Sequence, residues 1–95
     1  MKNLKNLIKE SINESENEFR PLYEIAREIR RDWRPVSPYA KPYLDAMGSL
    51  DSINDDYFMD SGRSIVAYFL SNASSWKGPK AKEIKAELRK MLKRK

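Results

Sequence analysis

The longest unbroken apolar run in the chain, Ile65-Val-Ala-Tyr-Phe-Leu70, sets the tightest limit on what it can fold into. Six residues fall far short of the roughly eighteen that cross a bilayer, so the run must be covered by other protein. A run of this length suits a buried strand or one side of a helix equally well. No second strand-like segment exists to pair with it, whereas Ile65, Val66, Phe69, Leu70 and Ala73 share one helical face, flanked by Ala67 and Tyr68. The spacing therefore predicts a helix over about 63–73, capped by Asp60 or Ser61 and leading into a connection from Asn72 to Gly78.

Other segments carry the same period. Leu4, Leu7, Ile8 and Ile12 predict a short amphipathic helix over about 2–13. Phe19, Leu22, Ala26, Ile29 and Trp33, with Ile25 widening the stripe, predict another from about Glu18 to Trp33. Pro21 lies near its start, Asn17 or Ser15 is the candidate cap, and Arg34-Pro35-Val36-Ser37-Pro38 ends it. A short helix follows within 38–47, regular only from Pro42, with Ser37 as cap and Gly48 as terminator. Residues 49–60 read as a turn-rich loop. Pro79 then opens a last helix, about 79–93, with the stripe Ala81, Ile84, Leu88, Met91 and Leu92. The expected fold class is all-α: a single helical domain over 1–95, a compact bundle of four to five short helices, with the faces of 19–33 and 81–92 packed around the central helix.

The composition excludes most chemistry. With no histidine and no cysteine, the commonest general base, nucleophile and transition-metal ligands are missing, and no disulfide can form. Only Gly48, Gly62 and Gly78 are available, so no glycine loop cradles phosphate. Asp51, Asp55, Asp56 and Asp60 crowd one loop, but in an EF-hand frame counted from Asp51 the glycine position holds Asp56. The ordinary role of such aspartates is to cap turns. No catalytic residue, cofactor site or metal site is assigned, and the chain is not expected to be an enzyme. The polar first twelve residues do not make a signal peptide, and the expected location is cytoplasmic.

Charge is distributed unevenly. Residues 77–95 hold nine Lys/Arg against Glu83 and Glu87, a net +7, while the remainder carries ten cations against twelve acids, a net −2. Lys82, Lys85, Arg89 and Lys93 line one side of the last helix, a face able to meet nucleic-acid phosphates or an acidic partner. The plainer account is a solvated helix whose lysines favour its C-terminal end. Arg27, Arg30, Arg31 and Arg34 surround Trp33, but that tryptophan continues an apolar stripe and reads as core. A helix-turn-helix from 61–72 and 79–92 would need a connection of about six residues, longer than the tight turn of that motif. Among aromatics next to loops, Tyr57 and Trp76 are the candidates for contacting a partner.

Pro42-Tyr-Leu-Asp-Ala-Met47, Asp51-Ser-Ile53, Ser64 to Ala73 and Trp76-Lys-Gly78 together resemble small uncharacterised proteins encoded by tailed bacteriophages. The resemblance covers about 33–92 and implies an accessory protein inside a bacterium, with no activity to carry over. The expected function is a non-enzymatic binding module for a host or viral protein, the alternative being nucleic-acid binding through the basic helix. No membrane association is expected, and the sequence leaves the oligomeric state open.

Overall fold

The computed structural model describes residues 19–93. The helix expected over 2–13 and the caps Ser15 and Asn17 lie outside the described residues. Within them the order is α1 (Leu22–Asp32), α2 (Lys41–Met47), β1 (Asp56–Tyr57), β2 (Asp60–Ser61), α3 (Gly62–Ser71) and α4 (Pro79–Lys93). The fold is predominantly helical, but the two short strands pair antiparallel, Asp56 opposite Ser61 and Tyr57 opposite Asp60, so the all-α expectation is corrected. Two-residue strands are too short to show an alternation of apolar and polar positions.

α1 buries Leu22, Ile25, Ala26 and Ile29, the positions its period selected. It begins after Pro21, and no side chain caps it. Its first amides are satisfied tertiarily: Leu22 N–H donates to the Asp51 carbonyl and Tyr23 N–H to that of Leu50, each at 3.0 Å. The start of this helix is thus fixed by a segment almost thirty residues away, which a local capping rule does not capture.

α2 is led in by a turn, in which the Ser37 carbonyl accepts from the Ala40 and Lys41 amides and Ser37 Oγ from the Tyr39 amide. Ser37 therefore caps that turn, and Ala40 stands at the N-cap of the helix. At its end Gly48 keeps right-handed angles, φ −64°, so it is not a left-handed terminator. α3 is capped by Ser61, whose side chain accepts from the Ser64 amide at 3.1 Å. Before α4, Gly78 has φ +110°, a backbone region that suits glycine.

α2 packs most extensively on α3, α3 also on α4, and α1 on α2 and α4, so the helices close a ring. The buried faces of α1 and α4 share one core with the central helix α3, and the short α2 also packs on both α1 and α3. In that core Phe69 is wholly buried and meets the Trp33 ring edge-on at 6.3 Å. Arg20 ties the N-terminal edge of α1 to α4 by donating to both carboxylate oxygens of Glu87, at 2.8 and 3.2 Å, and it also donates to Glu28 of α1 at 2.8 Å. At the C-terminal end of α4, Arg63 Nη1 donates to the Leu92 carbonyl at 2.7 Å, a cation where the helix dipole is negative.

Candidate functional site

Two surfaces stand out. One is the tip of the hairpin; the other is a groove where the 74–78 connection meets α4.

The hairpin is mounted on a tightly packed base. β2 runs straight into α3, and the Gly62 amide donates to the Asp55 carbonyl at 2.6 Å. A Cβ at Gly62 would lie 2.8 Å from the Ser52 carbonyl oxygen and 2.9 Å from the Ile53 Cα, so only glycine lets the loop and the helix approach this closely. Asp55 Oδ2 accepts from the Asp51 and Ser52 amides at 2.9 and 3.1 Å, holding the loop as a turn. Among the described residues, no three acids come together as a metal site.

From this base the two-residue loop Phe58-Met59 projects, with Phe58 87% and Met59 95% exposed. Phe58 adopts φ +57°, the left-handed region that costs a non-glycine residue roughly 1–2 kcal/mol. Exposed Asp56 and Asp60 flank the pair. Tyr57 is half-buried, and its ring meets Phe58 edge-on at 4.8 Å. The candidate residue Tyr57 thus braces the tip from beneath, and the exposed apolar groups are its neighbours. The signal for them was present in the sequence: Tyr57-Phe-Met59 is an apolar triplet between aspartates, in a segment with no helical stripe to absorb it.

Trp76, the other aromatic candidate, is corrected. It is 2% exposed, stacked on Trp33 at 5.5 Å with an 8° interplanar angle, and its Nε1 donates to Asp32 Oδ2 at 2.8 Å. A loop position in sequence says nothing of the pocket that tertiary packing builds around it. Trp33 is partly buried against the core, as its stripe implied, and Arg30 pairs with Asp45 at 2.7 Å.

The groove has a volume of about 440 Å³ and is lined by Lys77, Lys82, Lys85 and Arg89 around Trp76 and Ala81. Among the described residues, no carboxylate lines it. The acids of α4 are engaged elsewhere, Glu87 with Arg20 and Glu83 with Lys80. Lys85 Nζ donates to the Trp76 carbonyl at 2.7 Å and lies 5.8 Å from the centre of its ring. Burial lowers the Lys85 pKa, and the nearby charges of Arg89 and Lys77 lower it further. The predicted face of Lys82, Lys85, Arg89 and Lys93 is therefore divided. Lys82, Arg89 and Lys93 are exposed, Lys85 is braced against the connection, and Lys93 lies beyond the groove. Lys77, outside the helical stripe, joins the cluster through the turn at Gly78, which helical spacing could not reveal.

Comparison with known proteins returns no match, whether to family models, curated proteins or solved structures. Among the described residues, no helix is long and apolar enough to cross a membrane.

Proposed function

We propose that the chain is a non-enzymatic binding module that engages a protein partner through the Phe58-Met59 tip. The observation that carries this reading is a fully presented aromatic held at φ +57°, where glycine would be less strained. A position that sacrifices stability and exposes apolar surface fits a contact residue better than a scaffold residue. The complementary partner surface is an apolar pocket with a basic rim, facing Asp56 and Asp60. Full burial of the two side chains is worth about 1.5–3 kcal/mol each, a hot spot within a larger contact. An accessory role inside a bacterium, in the cytoplasm, belongs to the same proposal and rests on the bacteriophage resemblance alone.

The test is affinity purification of the tagged chain from its cellular source, with nuclease present, beside Phe58→Gly and Met59→Ser variants. A partner retained by the parent chain and lost from both variants supports the reading. Equal recovery from all three chains overturns it.

A second reading, nucleic-acid binding through the basic helix, is favoured by one observation: among the described residues, the cations lining the groove have no acid beside them. Fluorescence anisotropy with labelled oligonucleotides across a salt series tests it, the expected signature being a log–log slope of about −0.7 per phosphate neutralised on a single strand.

A further inference from the structure

We infer that the groove between the 74–78 connection and α4 is a localised site for the phosphates of a nucleic-acid strand, contacted by Lys77, Lys82, Lys85 and Arg89. The inference deepens the second reading and rests on it: that reading asks only for a basic helix, whereas this one assigns the contact to a built concavity. Three cations come from α4 at helical spacings that bring them to one side, and Lys77 joins them from the connection across Gly78. The N-terminal end of α4 opens onto the same groove through Gly78 and Pro79, adding the positive end of its dipole.

Four positive groups, with no carboxylate among the described residues that line the groove, repel one another, and an anion there relieves that repulsion. Lys85 shows the consequence, its charge disfavoured first by burial and then by Arg89 and Lys77. Its ammonium uses one hydrogen on the Trp76 carbonyl and keeps the others for a ligand. The spacing indicates a repeating anion rather than a single one. Lys85, Arg89 and Lys93 follow one another at four-residue steps, about 6 Å along the helix axis, so the cationic row continues past the groove. With Trp76 buried and stacked on Trp33, no exposed ring in the groove is offered to a base. The site therefore grips backbone without reading sequence.

The experiment compares two double variants of the full chain that remove equal charge. Lys77→Glu with Arg89→Glu strikes the groove; Lys80→Glu with Lys90→Glu strikes exposed α4 residues outside both the groove and the row that continues it. Anisotropy of a labelled single-stranded oligonucleotide at low salt should show about a tenfold or greater loss for the groove pair and about threefold or less for the outer pair. The neutral pair Lys77→Gln with Arg89→Gln should give a smaller loss than the charge reversal, and thermal melts establish that each variant is folded. Equal losses from the two reversed pairs overturn the localised site and leave the basic-helix reading standing. Undiminished binding by the groove pair also overturns the site. Absence of salt-sensitive binding by the parent chain overturns both the site and the reading beneath it.

Discussion

Phe69 and Gly62 show how different single residues hold this molecule together. Phe69 is wholly buried and meets both Trp33 and Trp76 edge-on, at 6.3 and 6.4 Å. Removing it leaves a cavity lined by large rings that cannot collapse far. Phe69→Ala should cost about 3–5 kcal/mol, read as a lowered denaturant midpoint. A midpoint close to that of the parent chain would contradict the packing described. Gly62 acts by lacking a side chain: the atoms that a methyl group would meet below 3.0 Å are backbone, which cannot swing aside. Gly62→Ala should destabilise by about 1–3 kcal/mol and loosen the hairpin base, seen as faster exchange of the Gly62-position amide.

At the scale of elements, the hairpin separates stability from the proposed function. Phe58→Gly relieves the left-handed strain at a site that makes little use of its side chain for packing. Its melting temperature should equal or exceed that of the parent, by up to about 1 kcal/mol in stability, while partner capture is lost. A substitution that stabilises the fold and removes the interaction would distinguish a contact residue from a structural one. The cap of α3 behaves in the opposite way. Ser61→Ala removes the acceptor of the Ser64 amide and should cost about 1 kcal/mol by thermal or chemical denaturation.

For the whole molecule, ion pairs fix how the helices are joined and how stability responds to acid. The hydrogen bond from Arg20 holds the Glu28 carboxyl below its ordinary pKa, and that from Arg30, seconded by Lys41, does the same for Asp45. A depressed carboxyl binds fewer protons in the folded chain than in the unfolded one. Its contribution is complete above the ordinary carboxylate range, near pH 4, and is lost as pH falls through the depressed value. The melting temperature should thus be level around neutrality and fall in acid, with a shallower fall in Glu28→Gln and Asp45→Asn. Both carboxylates are about a third to nearly half exposed, so the effect is modest and high salt should weaken it. An unchanged acid profile in both variants would count against these pairs as the source.

The sequence by itself determined the helices within the described residues and the faces they bury. The stripes of 22–29 and 81–91, the terminator at Pro35, a cap at Asp60 or Ser61 and the Pro79 start all follow from local periodicity and backbone chemistry, and the structure makes the cap Ser61. Charge asymmetry, too, is a property of composition. Tertiary structure alone decided which polar and aromatic groups are free. Trp76 looked accessible in a loop but is enclosed by Trp33 and Phe69, while Lys77 left its loop to stand beside α4. The start of α1 was set by carbonyls at Leu50 and Asp51, and the hairpin by a glycine close enough to touch its base. The reason is physical: a helix is specified by hydrogen bonds four residues apart, but exposure depends on what the rest of the chain brings alongside.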